Sequence, residues 1–160
     1  MAVCETAIHE MRTQLAPGMT ENALWWILHQ VNIARGDEQR RLYALAREHL
    51  AFNTDALKPG MTFKEFAEKS LALPEKFQDN RYSVIAHGVG LCDEYPHIAY
   101  VEDIADRGYD GVIEPGMTLC FESYIGADGG REDAKLEQQV LVTDTGIEAL
   151  STFPFENALL

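Results

Sequence analysis

The sequence is short of positive charge and of long apolar runs. Its 160 residues contain 13 lysines and arginines against 26 aspartates and glutamates, which gives a net charge of −13. This surplus of negative charge repels nucleic acids and anionic membrane surfaces, so we expect neither as a partner. No apolar run approaches the roughly 20 residues that a membrane-spanning helix needs.

Cysteine is also scarce, and the three cysteines lack the paired spacing of a disulfide framework. Nothing at the N-terminus resembles the basic segment and apolar core of a secretory signal. We therefore expect a cytoplasmic protein with reduced thiols. The length of the chain and its 46% of hydrophobic residues are sufficient for one folded domain with a buried core.

The first part of the chain has the periodicity of helices. Apolar residues at helical spacing predict four helices, over residues 2–14, 20–34, 39–57 and 62 to about 73. Thr20 can cap the second helix, and Thr62 with Glu65 has the spacing of a capping box. Each pair of helices is joined by Pro-Gly-Met-Thr, which suggests a duplicated unit. A third copy, at 115–118, opens a strand, and we interpret that copy as a simple turn.

The last third of the chain predicts a hairpin that brings two glutamates together. Two runs of β-favouring residues occur there, at 119–125 and 136–143. Between them, Gly129-Gly130 suits a two-residue turn, and in that register Glu122 lies directly opposite Glu137. Like charges about 5 Å apart destabilise a sheet unless a cation or a shared proton offsets them. A divalent cation is the simplest such group, because carboxylate oxygens bind and bridge metal ions.

Two other interpretations of the glutamate pair remain open. A one-residue bulge would turn Glu122 and Glu137 to opposite faces of the sheet. Both glutamates would also fit as solvent-facing residues on an acidic protein. Against the second interpretation, Glu122 lies within Leu-Cys-Phe-Glu-Ser-Tyr, where an unpaired charge is costly.

A histidine in a distinctive setting precedes this hairpin. His87 ends the apolar run Tyr82-Ser-Val-Ile-Ala-His and is followed by Gly88 and Gly90, which allow backbone or a ligand to approach closely. A single histidine at the end of a strand is often only structural. Asp93, a few residues further on, fits a turn or a cap when considered alone, and Tyr82 fits an ordinary strand aromatic.

Three pieces of the sequence together resemble the pita-bread metallohydrolase superfamily of methionine aminopeptidases, prolidases and creatinase. They are HGVG at 87–90, PGMTLCFE at 115–122 and KLEQQVLVTDTG at 135–146. The resemblance covers nearly the whole chain and implies an α+β pita-bread fold with two helix pairs and an antiparallel sheet. It also implies a divalent metal centre, usually of two ions, with His87, Glu122 and Glu137 as ligands. Iron, zinc and manganese all suit such ligands.

The stretch HGVGLCDEYP resembles, within this superfamily, the dimethylsulfoniopropionate lyases. That resemblance implies β-elimination of a small-molecule substrate to dimethyl sulfide and acrylate. It assigns Asp93 as the base that removes the α-proton and Tyr82 to the substrate site. The peptidase members have a histidine where this chain has Glu94, which argues against peptide hydrolysis. An Xaa-Pro-type metallopeptidase and a non-catalytic truncated relic remain the alternatives.

The aspartate ligands of the superfamily's first half have no counterpart in this sequence. Their strands would fall between Gly36 and Asp37, where the chain has no room for them. We therefore expect a single incomplete domain over 1–160, with 1–36 as the remnant of the first half and 37–160 as the second half. A true deletion and an omitted stretch explain this equally well. The missing sheet would expose apolar helix faces, so we predict a homodimer.

Overall fold

The computed structural model of this chain describes residues 2–92, 94–130, 132–151 and 153–156, and of residues 2–4, 32–35 and 37 it describes only the backbone. The helices are α1 (Ala2–Gln14), α2 (Glu21–Arg35), α3 (Asp37–Ala56), α4 (Phe63–Lys69) and α5 (Ile104–Arg107). The strands are β1 (Ala86–Gly88), β2 (His97–Ile98), β3 (Thr118–Gly126), β4 (Asp133–Val142) and β5 (Ile147–Ala149). Among the described residues, no helix combines the length and the apolar character needed to cross a membrane.

The helix starts follow the predicted caps. The backbone N–H of Ala23 donates to Thr20 Oγ1 at 3.2 Å, at the beginning of α2. At α4 the capping box is complete, because Thr62 Oγ1 accepts from the Glu65 N–H at 3.1 Å and Glu65 Oε2 accepts from the Thr62 N–H at 2.8 Å. The predicted end of this helix near residue 73 is wrong. It ends at Lys69, since the backbone is already extended at the next residue.

All three Pro-Gly-Met-Thr copies form the same turn. Their glycines, Gly18, Gly60 and Gly116, have φ angles of 89°, 86° and 93°. In each copy the methionine N–H donates to the carbonyl three residues earlier, at 3.1, 3.4 and 3.2 Å. Proline followed by a glycine with positive φ is typical of a type II turn. Turn chemistry therefore accounts for every copy, and the duplication of the helix pairs stays a prediction.

The strands form one antiparallel sheet in the order β2-β1-β3-β4-β5. The predicted register is confirmed, because Glu122 is the direct partner of Glu137. The predicted two-residue turn is wrong, since β3 ends at Gly126 and β4 begins at Asp133. The longer loop has the same midpoint as the predicted turn, so the register is unchanged. Gly129 has the positive φ that the loop requires, 68°.

The two faces of the sheet have different surroundings. Three side chains of β3 are fully buried in the hydrophobic core: Leu119, Phe121 and Ile125. The ring of Phe121 meets the ring of Phe66 in α4 edge to face, with 5.9 Å between the ring centroids. We call this the packed face. Because side chains alternate along a strand, Cys120 and its neighbours two positions away project from the opposite face, which we call the open face.

The two halves of the helical region meet without an intervening sheet. α2 ends at Arg35 and α3 begins at Asp37, with only Gly36 between them. The carbonyl of Gly36 accepts the N–H of Arg40 at 3.0 Å, so α3 is hydrogen-bonded from its first turn. No strand separates the helices in this described stretch, as the sequence predicted. The predicted strand over 82–87 is wrong in extent, because β1 covers only Ala86–Gly88.

Candidate metal centre

Three neighbouring strands bring chemically active side chains to the open face. His87 of β1 pairs directly with Cys120 of β3, and Glu122 of β3 pairs directly with Glu137 of β4. Strand partners share a face, so all four side chains project to the same side of the sheet. His87, Cys120 and Glu122 are buried, and the ligand atoms that these three offer all lie within 4.8 Å of one another.

The imidazole of His87 has a defined orientation. Its Nδ1 lies 3.0 Å from the carbonyl oxygen of Gly88, which can only accept a hydrogen bond. Nδ1 therefore carries a proton, and in the neutral ring Nε2 presents a lone pair. A histidine that donates one N–H to a carbonyl and keeps the other nitrogen free has the usual arrangement of a metal ligand.

The carboxylate of Glu122 faces that lone pair. Its Oε1 lies 3.3 Å from His87 Nε2, and the residue is only 3% exposed. Its second oxygen, Oε2, is buried without a hydrogen-bond partner among the described residues. Two acceptors cannot share this short contact unless a proton or a cation lies between them. The arrangement therefore requires a shared proton or a cation at the open face.

Lys135 supplies part of that charge. Its Nζ lies 2.6 Å from Glu137 Oε1 and 3.2 Å from Glu122 Oε2, so it bridges the two carboxylates although it does not satisfy Oε2 with a hydrogen bond. Burial raises the pKa of the Glu122 carboxyl, His87 opposes this by hydrogen bonding, and the nearby Glu137 charge adds to the rise. Lys135 is 39% exposed at its side chain, so it can move into solvent.

Cys120 completes the cluster, and the sequence did not single it out. Its sulfur lies 3.8 Å from the Phe121 carbonyl oxygen and 4.0 Å from Glu137 Oε2. Burial raises the pKa of the Cys120 thiol to about 12, and the carboxylates of Glu122 and Glu137 contribute to the rise. The sequence signal for Cys120 was its position two residues before Glu122, because residues two apart on a strand project from the same face.

Tyr82 lies beside the cluster. Its ring is 6.3 Å from the His87 ring, and Lys135 Nζ lies 4.7 Å from its centroid. The hydroxyl donates to Glu94 Oε1 at 2.9 Å. This bond raises the pKa of Tyr82 to about 12, with burial as the next cause. Glu94 also lies 3.9 Å from His97 Nε2.

The remaining predicted residues have different outcomes. Asp93, the predicted base, lies outside the described residues. Gly88 is required by its surroundings, because a Cβ there would overlap the backbone of Tyr95 and the ring of Pro96. Gly90 has open space around its Cα. The two glycines therefore have different uses, close packing in one case and clearance in the other.

A second polar cluster lies directly behind the centre, on the packed face. Ser123 Oγ is 3.1 Å from His49 Nδ1, and His49 Nε2 is 3.1 Å from Asn53 Nδ2. Asn53 Oδ1 accepts the Leu71 N–H at 2.8 Å, which fixes the orientation of the amide. Nε2 of His49 is thus an acceptor and Nδ1 a donor, so the ring is neutral. Nothing in the sequence indicates a partner for His49.

The donor set fits one divalent ion on the open face. Glu122 Oε2 makes no hydrogen bond among the described residues and has only the displaceable Lys135 ammonium 3.2 Å away, and the nearby Nε2 of His87 offers a lone pair. Imidazole and carboxylate suit several first-row divalent metals. Glu137 is the third predicted ligand, and its side chain is 47% exposed and reaches Glu122 through the lysine that bridges them.

Comparison with known proteins gives a consistent relationship. The family model of metallopeptidase family M24 matches residues 32–144. A dimethylsulfoniopropionate lyase DddP from Roseovarius nubinhibens is 48% identical over 121 residues, which are 74% of this chain and 27% of that protein. An Xaa-Pro dipeptidase from Pyrococcus furiosus is 32% identical over 119 residues, 72% of this chain and 32% of that protein.

A solved structure, the prolidase from Pyrococcus furiosus, has the same fold, with a TM-score of 0.60 at 18% identity over 96% of this chain and 62% of that one. The pita-bread fold inferred from the sequence is therefore confirmed, in incomplete form. The chain spans about a third or less of the length of the two curated relatives described above.

Proposed function

The chain belongs to metallopeptidase family M24, and from this premise we propose that it is the metal-binding segment of a dimethylsulfoniopropionate lyase. The observation that carries the proposal is the convergence of His87 and Glu122 within a sequence 48% identical to such a lyase. Membership of the family implies a divalent metal cofactor. We propose that His87, Glu122 and Glu137 hold it, as part of a centre of two ions.

The proposed reaction is a β-elimination. Asp93 removes the proton α to the substrate carboxylate, the carbon–sulfur bond breaks, and dimethyl sulfide leaves as acrylate forms. The bound metal would hold the substrate carboxylate and so make the α-proton more acidic. A carboxylate can serve as the general base for such a proton. The proton taken up by Asp93 then passes to solvent, which balances the reaction.

Tyr82 is the proposed contact for the sulfonium group. In the structure the Lys135 ammonium lies 4.7 Å from the ring centroid of Tyr82, so the face of this ring already accommodates a cation. Aromatic faces attract sulfonium and ammonium groups for the same electrostatic reason. A substrate that displaces Lys135 would bring its positive sulfur to this ring and its carboxylate towards His87.

A specific observation favours each of two alternatives. The 32% identical Xaa-Pro dipeptidase favours a peptidase, but Glu94 stands where the peptidases have a histidine and is bonded to Tyr82. The lysine between Glu122 and Glu137 favours a relic that binds no metal, because an internal cation already offsets the carboxylates. The proposed division into a remnant over 1–36 and a second half over 37–160 applies to all three possibilities.

A homodimer and a cytoplasmic location belong to the same proposal. Large apolar side chains are exposed at Trp25, Trp26 and Phe153. The last two help to line a groove of about 700 Å³ that also contains Tyr43 and Phe155. A second copy would cover these surfaces, and light scattering should give twice the mass of one chain. A single-chain mass would contradict the dimer.

Headspace gas chromatography is the test of the activity. The purified chain, loaded in turn with iron, zinc or manganese, is incubated with dimethylsulfoniopropionate, and dimethyl sulfide and acrylate are expected in equal amounts. Asp93→Asn should abolish release while leaving metal content unchanged. An Xaa-Pro dipeptide is assayed in parallel. Dipeptide hydrolysis without dimethyl sulfide would favour the peptidase, and metal content near zero would favour the relic.

A further inference from the structure

We propose that Cys120 is a metal ligand, so that His87, Cys120 and Glu122 together hold one ion in this chain. The inference rests on the metal centre of the proposed function and adds to it a sulfur donor that the predicted set of one histidine and two glutamates lacks. It concerns how the ion is bound, and it stands or falls separately from the elimination reaction.

The pairing of the strands places the three side chains close together. His87 and Cys120 are direct partners across β1 and β3, and Glu122 is two residues further along the same face. Their ligand atoms lie within 4.8 Å of one another. Around a tetrahedral ion with bonds of about 2.0 Å to nitrogen and oxygen and 2.3 Å to sulfur, neighbouring ligand atoms are about 3.3 to 3.5 Å apart. The observed 3.3 Å between His87 Nε2 and Glu122 Oε1 already has that spacing.

The second step is an independent sign that a ligand is missing. Glu122 is 3% exposed, and its Oε1 faces another acceptor, His87 Nε2, at 3.3 Å; its Oε2 makes no hydrogen bond among the described residues, although the Lys135 ammonium lies 3.2 Å away. A buried carboxylate oxygen that makes no hydrogen bond loses its hydration without compensation, so such groups normally have a partner. A metal ion between His87 and Glu122 would replace the Lys135 ammonium as the partner of the carboxylate and would remove the contact between two acceptors.

The donor atoms of these residues indicate which ion they would bind. A nitrogen, a sulfur and an oxygen form the mixed donor set that zinc accepts, whereas magnesium and calcium require oxygen ligands almost exclusively. These three protein ligands leave a fourth position for Glu137, water or a substrate oxygen. The ammonium of Lys135 must leave Glu122 when the ion binds, and its partial exposure permits this.

Cobalt is the probe, because a thiolate bound to Co²⁺ gives a near-ultraviolet charge-transfer band that nitrogen and oxygen ligands do not. Titration of the apo chain with Co²⁺ should produce this band at one equivalent. Cys120→Ser should lose the band and bind zinc at least roughly tenfold more weakly, a loss that removing even an indirect partner of a ligand can cause. The matched control, Cys4→Ser/Cys92→Ser, keeps only Cys120 and should keep the band.

X-ray absorption of the wild-type zinc complex covers the case in which Cys120→Ser does not fold. One sulfur neighbour is expected around the zinc, and a shell of nitrogen and oxygen alone would overturn the proposal. Failure to bind any metal would overturn it together with the metal centre of the proposed function. A cobalt–sulfur band without dimethyl sulfide release would support Cys120 as a ligand and count only against the lyase.

Discussion

Strand β3 has one fully enclosed polar side chain on each face, and the two faces differ in how that group is satisfied. On the packed face, Ser123 bonds to His49, which in turn bonds to Asn53. On the open face, one oxygen of Glu122 faces a histidine acceptor, and the other has only the ammonium of Lys135 nearby, at 3.2 Å, on a side chain that is 39% exposed. A polar group that only supports the fold has its partners within the chain. A group that awaits a ligand has a partly exposed partner that the ligand can displace, and this separates the site from the scaffold.

The packed face should carry most of the stability. Phe121 is 0% exposed and meets Phe66 edge to face, so Phe121→Ala should lower the free energy of unfolding by about 3 to 5 kcal/mol through lost burial and a cavity. Urea denaturation measures this. The matched control is Phe52→Ala, at a phenylalanine that is 46% exposed and outside the proposed dimer groove, and its effect should stay below about 1 kcal/mol. Equal losses of unfolding free energy in the two variants would contradict the prediction that the packed face carries most of the stability.

The network on the packed face should be sensitive to acid. Burial lowers the pKa of His49 from 6.5 to about 4, against an opposing hydrogen bond at Leu71. Between those values the unfolded chain binds a proton that the folded chain does not, so stability is lost as the pH falls from 6.5 to 4. The full shift corresponds to about 3 kcal/mol.

Urea denaturation of wild type and His49→Gln at pH 7.0, 5.5 and 4.5 tests this. The gap between the two proteins should narrow as the pH falls, because the variant has no imidazole to protonate. His9→Gln, at an exposed histidine, should follow the wild-type profile. A gap that stays constant would mean that folding does not change the pKa of His49.

The open face should respond to metal where the packed face does not. At a metal concentration 100 times the dissociation constant, wild type should gain about 2.7 kcal/mol. Glu122→Gln should lose this gain and, without metal, stay within about 1 kcal/mol of wild type, because a buried charge with an unsatisfied oxygen is removed. Thermal unfolding with and without zinc measures both. Glu148→Gln, on exposed β5, should keep the full gain; a gain retained by Glu122→Gln would remove Glu122 from the centre.

The sequence was informative where the signal was local. The strand pattern on either side of Gly129 predicted that Glu122 pairs with Glu137. This pairing is correct although the predicted two-residue turn is wrong, because the longer loop between Gly126 and Asp133 has the same midpoint. The closeness of His87 to Glu122 depended on family resemblance, since nothing local determines which strand lies next to β3. The contact of His49 with Ser123 spans 74 residues and leaves no trace in periodicity.

Replacing Lys135 should have the smallest effect on stability, and it tests whether the open face is organised by the chain itself or by a metal ion. Lys135 is 39% exposed, and because burial raises the pKa of Glu122, that carboxyl can take up a proton when the ammonium is removed; Lys135→Gln should therefore change the free energy of unfolding by less than about 1 kcal/mol. Metal binding should become tighter, because the ion no longer competes with an ammonium for the same oxygens. Isothermal titration with zinc measures this, with Lys64→Gln, in a surface pair on α4, as the control. Weaker binding would mean that the lysine positions the carboxylates for the metal, and the open face would then be organised from within, as the packed face is.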